Sequence, residues 1–200
     1  MLVLILGLVL FLGTHAFTMA RGPRARLIER LGEGGYKISY SIASLVGIVL
    51  VSIGYGEARY SAANVQIWSP PAGLSHLSLL LMVFAVILFV ATYLPGHIKA
   101  RAKHPMLAAV KIWALAHLLA NGDLASMILF VSFLAWAVVA RISLKRRPVS
   151  PLAPAQAAAA KPAGWRNDAI AVVVGLVAYV AFAFWLHPIL IGVPVVGGGM

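Results

Sequence analysis

The chain has 200 residues, of which 62% are hydrophobic and only 10% charged, against about 25% charged in an average soluble domain. A soluble domain this small has no interior able to hide so much apolar surface, so the composition excludes an ordinary water-soluble fold. The formal net charge of +11 would elsewhere suggest nucleic acid; here the basic residues flank long apolar runs, where membrane topology wants them, and nucleic acid is set aside.

Spanning a bilayer takes about 20 apolar residues in a helix, and six segments approach that length. The first is Leu2–Ala20. It lacks the basic lead of a secretory signal, and Arg21 follows the apolar run instead of preceding it, so it reads as a retained membrane helix. The next are Ile38–Tyr55 and Leu77–Leu94, separated by a loop whose Trp68 and Pro70-Pro71 suit the headgroup level. Pro105–Ala120 is the weakest span, because it carries Lys111 and His117. Leu124–Ala140 follows. Residues 148–164, rich in alanine and proline without apolar periodicity, read as a flexible cytoplasmic linker. The sixth span is Ala169–His187, and its apolar run continues to Met200 through Pro188, Pro194 and Gly197–Gly199. Nothing repeats internally. The expected fold is therefore all-α: one polytopic helical bundle over residues 1–200, with about six transmembrane helices.

The gaps between spans set the orientation. Arg21, Arg24, Arg26, Arg30 and Lys37 fill the first; Lys99, Arg101 and Lys103 fill the third; Arg141, Lys145, Arg146, Arg147, Lys161 and Arg166 fill the fifth. The second and fourth hold only Glu57 with Arg59, and Asn121 with Asp123. Every second gap is basic, which places those loops in the cytoplasm and both termini on the other side. In the first loop, Glu29 and Glu33 read as helix-surface partners of Arg30 and Lys37.

Cysteine is absent, which excludes disulfides, iron–sulfur clusters, thiolate-ligated haem and c-type haem attachment. A metal or cofactor would fall to His, Met, Tyr or carboxylate. Ionisable side chains within a membrane are costly and commonly mark function. The candidates are His15, Lys111, His117 and His187. Each has a plainer reading: His15 hydrogen-bonded to a neighbouring helix, Lys111 snorkelling to the headgroups, His187 ending a helix before Pro188. His117 is the hardest to dismiss, because Trp113, His117 and Asn121 recur at i, i+4 and i+8 and share one helix face. Neutral imidazole is a standard ligand of haem iron and other metals, and two imidazoles from different helices with an apolar slot between them suit a membrane-buried b-type haem. At 1.5 Å per residue His15 lies roughly 9 Å inside Arg21 and His117 roughly 18 Å beyond Pro105, an offset of about 9 Å that tilt has to absorb. His104 matches His15 better in depth, and the pairing stays open. No HExxH, glycine-rich phosphate loop or Ser–His–acid grouping stands out, and five acidic residues in all argue against paired-carboxylate chemistry.

The stretch HPMLAAVKIWALAHLLANGD (His104–Asp123), the Gly13-Thr14-His15-Ala16 end of the first span and the basic segment from Arg21 to Tyr40 resemble the NnrU family. The resemblance covers roughly residues 1–190 apart from the linker. It implies a bacterial inner-membrane protein, from a family named for a member needed for nitrite and nitric oxide reductase activity, so that denitrification reductases become candidate partners beside the lipid bilayer. The family is similar to 15-cis-zeta-carotene isomerase, a membrane enzyme holding haem b between two histidines. Carried over, that likeness places the iron ligands on His15 and His117; His104 stays the alternate by depth, Trp113 and Asn121 join the cofactor site through the face they share with His117, and Lys111 is a candidate partner for a haem propionate or an anionic lipid. Three functions then stand side by side: a haem-b protein supporting denitrification, a haem-dependent cis–trans isomerase of a lipophilic polyene, and a non-catalytic assembly factor. The His-Pro element also resembles isoprenylcysteine carboxyl methyltransferases, but no glutamate follows Asp123 here.

Overall fold

The structure is a computed structural model and describes residues 1–147 and 164–195. The expected linker at 148–164 lies, apart from Gly164, outside the described residues, as does most of the tail. Every extended element among them is helical: α1 (Leu2–Phe17), α2 (Arg21–Arg59), α3 (Ala72–Ala91), the short α4 (His97–Ala102), α5 (Pro105–Ala120), α6 (Leu124–Lys145), α7 (Trp165–Ala181) and α8 (His187–Ile191), the last two joined by a π-helical turn at Phe182–Leu186.

Among the described residues, four stretches are long and apolar enough to cross a membrane: α2, α3, α6 and the continuous run Trp165–Ile191. Helices α1 and α5 have 16 residues each, about 24 Å at 1.5 Å per residue, short of a hydrocarbon core about 30 Å thick.

Three boundaries depart from the hydropathy reading, each for a local reason. Helix α2 extends back through the basic segment to Arg21, and its 39 residues break at Gly32, whose φ of 71° and ψ of 165° suit glycine and few other residues. Arg21–Leu31 is thus a separate basic helical piece ahead of the apolar one, and within the second piece Lys37 Nζ lies 3.3 Å from Glu33 Oε2. Helix α3 starts directly after Pro71 and ends at Ala91, before Pro95, because a residue preceding proline is steered out of the helical region. In the last run, Pro188 lacks an N–H and its ring would crowd the carbonyl four residues back; the wider π turn immediately before His187 lets the helix continue past it.

The helices pack in the order α2, α1, α6, α5, α3, α7, each touching the next. Helices α1 and α2 approach backbone to backbone over glycines. A Cβ on Gly7 would stand 2.5 Å from the Val51 nitrogen, one on Gly47 would stand 2.8 Å from the Phe11 nitrogen, and one on Gly54 would collide with the Leu4 backbone. Lipid offers no hydrophobic drive for helix pairing, so such close van der Waals contact is what holds two membrane helices together. Leu4, Leu8 and Val51 from this pair join Ala114, Leu129 and Phe130 in the main buried cluster, while large apolar side chains such as Val9, Ile42, Val173 and Val177 face outward.

The two ends of the bundle differ in charge. One end gathers the α1–α2 turn, α4, the start of α5, the end of α6 and the start of α7, and with them nearly all the basic residues. At the other end the 60–71 loop folds over the α5–α6 turn. The Ile67 and Trp68 N–H groups donate to the Gly122 carbonyl at 2.8 and 3.2 Å, and the Leu124 N–H donates to Val65 O at 2.9 Å. Gly122 has no room for a side chain there, since a Cβ would collide with Trp68 O. Arg59 at the end of α2 donates through Nη1 to Ile191 O at 2.9 Å, joining the two outermost helices of the row at this end.

Candidate functional site

His117 sits in the last turn of α5. Its Nδ1 is 2.8 Å from the Trp113 carbonyl oxygen; a carbonyl only accepts, so the ring must donate from Nδ1, and in the neutral form the lone pair is left on Nε2. The imidazole stacks on Phe130 of α6 with centroids 4.5 Å apart and lies 5.3 Å from the Trp113 indole. Trp113 in turn packs edge-on against Phe130 and Phe133. Asn121 follows the last residue of α5 with extended backbone, and its Nδ2 donates to the His117 carbonyl at 2.9 Å. It closes the helix end and does not touch the imidazole.

His15 repeats the arrangement in the last turn of α1. Its Nδ1 donates to Phe11 O at 2.7 Å, so that the neutral tautomer has its lone pair on Nε2. The ring lies 4.3 Å from Phe11, 5.3 Å from Tyr40 of α2 and edge-on 5.7 Å from Trp136 of α6. A backbone carbonyl holding Nδ1–H is the usual way proteins orient a histidine whose Nε2 binds a metal. Taken singly, each imidazole therefore has the donor chemistry that haem iron needs.

The pair as placed does not form one site. Trp136 beside His15 and Phe130 beside His117 are six residues apart on α6, about 9 Å along the axis. Ring contacts run from His15 through Phe11 to Phe133 (5.7 Å), from Phe133 to Trp113 and from Trp113 to His117, so aromatic side chains fill the path between the two imidazoles. Both could reach one iron only if those rings moved aside. Among the described residues no group of three or more His, Cys, Asp or Glu side chains gathers as a metal site.

The remaining sequence candidates are dispersed. Lys111 is half-buried and lies roughly 120° around α5 from His117 at 100° per residue, so the two do not share a face. His187 donates to Val193 O at 2.7 Å and packs against Phe182, tying the segment after α8 back onto the helix. His104 is the residue capping α5 ahead of Pro105. Desolvation, with Arg141, Arg147 and Lys103 nearby, holds its pKa below the usual 6.5. The folded state then binds fewer protons at this ring than the unfolded state, so stability falls as pH drops through about 6.5. A His104→Gln variant is expected to lose part of that acid sensitivity in melting curves taken from pH 7.5 to 5.5; an identical pH slope in both proteins would contradict it.

One polar cluster has no counterpart in the sequence reading. Asp168, in the first turn of α7 and 7% exposed, accepts through Oδ2 from the His97 N–H at 3.0 Å and His97 Nδ1 at 2.8 Å, and through Oδ1 from the Ile98 N–H at 2.9 Å. The Trp165 indole lies 4.5 Å from the His97 ring. A Cβ on Gly96 would collide with the carboxylate, so glycine is required there. This cluster clamps α7 to the start of α4.

Fold and site together define an all-helical, membrane-type protein with two half-buried histidines, each anchored to its own helix backbone. The chain belongs to the NnrU family: the sequence model of the NnrU protein matches residues 3–195. No curated protein and no solved structure matches it.

Proposed function

We propose that this chain is a bacterial inner-membrane protein whose α1, α2, α3, α5, α6 and α7–α8 all enter the bilayer, with both termini on the non-cytoplasmic side, and that it binds haem b through a half-buried histidine in support of nitrite and nitric oxide reduction. The gathering of basic residues at one end of the bundle supports the orientation. Packing of the short α1 and α5 between longer helices supports their lying within the membrane.

His117 is the principal ligand in this reading. The observation that carries it is the Nδ1 hydrogen bond to Trp113 O, which leaves the Nε2 lone pair free beside the rings of Trp113 and Phe130. His15 offers the same chemistry and is the second ligand if the intervening rings part. Haem bound there supplies one-electron redox chemistry; the protein supplies the fixed tautomer, the aromatic walls and the exclusion of water.

The test is haem content after purification in mild detergent. His117→Ala is expected to lose the bound haem, and His15→Ala to lose it or change its axial ligation. His104→Ala is expected to retain it. Full retention in both the His117 and His15 variants would overturn the ligand assignment.

A second reading, a non-catalytic assembly factor, draws on the same geometry: both imidazoles already have a carbonyl partner and aromatic neighbours, which satisfies them as packing residues. A purified wild-type protein without haem, from cells well supplied with haem precursor, would decide for that reading.

A further inference from the structure

We infer that the basic end of the bundle holds an anionic phospholipid, with its phosphate at Arg21, Arg24 and Arg147 and its apolar portion between the end of α1 and the start of the apolar part of α2. Two pockets adjoin there. One, of about 510 Å³, is lined by Thr18, Arg21, Arg24, Ala25, Ile28, Glu29 and Arg147, three guanidinium groups against one carboxylate. The other, of about 360 Å³, is mostly apolar, with Gly13, Phe17, Leu27, Tyr36 and Tyr40 among its walls. Arg24 connects them, lining the first while its guanidinium lies 5.4 Å over the ring of Tyr36 in the second.

Tyr36 is the independent sign of a ligand. It is 7% exposed, it lines the apolar pocket, and its hydroxyl has no hydrogen-bond partner among the described residues. A buried hydroxyl without a partner costs about 1–3 kcal/mol, and such groups in a native fold call for a partner that the protein itself does not supply. The first turn of α2 has no side-chain cap, so its free N–H groups add to the positive potential beside Arg21 and Arg24.

Charge and shape favour a lipid over a soluble anion. A free phosphate would use the arginines and leave the apolar pocket and Tyr36 unaddressed, whereas a phospholipid presents a phosphate diester, ester carbonyls able to accept from the Tyr36 hydroxyl, and an apolar body at the spacing of one membrane surface. Basic segments at the cytoplasmic end of membrane helices gain about 1 kcal/mol per Lys or Arg from anionic lipid. None of the pocket residues is placed against His117, while Tyr40 of the apolar pocket also packs on His15.

The experiment is native mass spectrometry of the detergent-purified full chain, mixed with equal amounts of phosphatidylglycerol and phosphatidylcholine. Phosphatidylglycerol is expected to be retained about tenfold or more over phosphatidylcholine. The Arg21→Ala/Arg24→Ala/Arg147→Ala variant should lose that preference, while Arg59→Ala, at the other end of α2, should keep it. Arg24→Gln alone should lower it severalfold, which keeps the test open if the triple variant is unstable. Equal retention of both lipids, an unchanged preference in the triple variant, or full displacement by millimolar inorganic phosphate would each overturn the inference.

Discussion

Gly54→Val is expected to separate α1 from α2 and to be among the most damaging single substitutions in the chain. A Cβ at this position collides with the Leu4 backbone, not with a side chain that could rotate away, and Leu4 itself is fully buried. Overpacking a well-filled interior commonly costs about 1–3 kcal/mol. Here two helix axes have to move apart, so the cost sits at or above the top of that range. Gly47→Val, facing the Phe11 backbone, should behave similarly and also disturb the His15 ring that Phe11 supports. The measurement is thermal unfolding in detergent. Gly56→Val, at a position open to its surroundings, serves as the control and should melt close to wild type. Equal melting of the Gly54 and Gly56 variants would contradict the backbone-contact account.

Asp168→Ala is expected to release the start of α7 from α4. The carboxylate accepts three hydrogen bonds from the first residues of α4. Removing it leaves two backbone N–H groups and a half-exposed imidazole without their partner at a partly buried junction, where the lost interaction and part of the desolvation penalty add. Asp168→Asn retains an acceptor oxygen of the same reach and should be milder. Hydrogen exchange reads this directly: the amides of His97 and Ile98 should lose most of their protection in the alanine variant and part of it in the asparagine variant. Unchanged protection with alanine would show that α7 is held by its apolar contacts with α3 alone.

How much of this was legible in the sequence depends on how local the causes are. Pro105–Ala120 has the predicted limits because Pro105 begins it and Asn121-Gly122-Asp123 ends it, signals carried by the residues themselves. The shared face of Trp113 and His117 follows equally from helical periodicity, whereas Asn121 already lies beyond the helix end. What that face meets does not: the stacking of His117 on Phe130 depends on the packing of α5 against α6. Hydropathy sees only the apolar part of α2, and misses that Arg21–Leu31 is also helical and separated at Gly32. The π turn before His187 needs the register of Pro188 within a continuing helix, not merely its presence. The His97–Asp168 clamp joins residues 71 positions apart, and its one trace in the sequence is a carboxylate at the edge of the final span, where a charge is costly without partners. The two histidines set at the ends of α1 and α5 were visible as candidates; the aromatic rings between them were not, because Phe11, Phe133 and Trp113 come from three helices.

The most direct measurement of the central claim is the absorption spectrum of the detergent-purified protein, oxidised and then reduced with dithionite, from cells supplied with haem precursor. A b-type spectrum that sharpens on reduction and disappears in His117→Ala is the result this account predicts. A flat spectrum from fully folded protein would contradict it and leave His15 and His117 as packing residues of a membrane assembly factor.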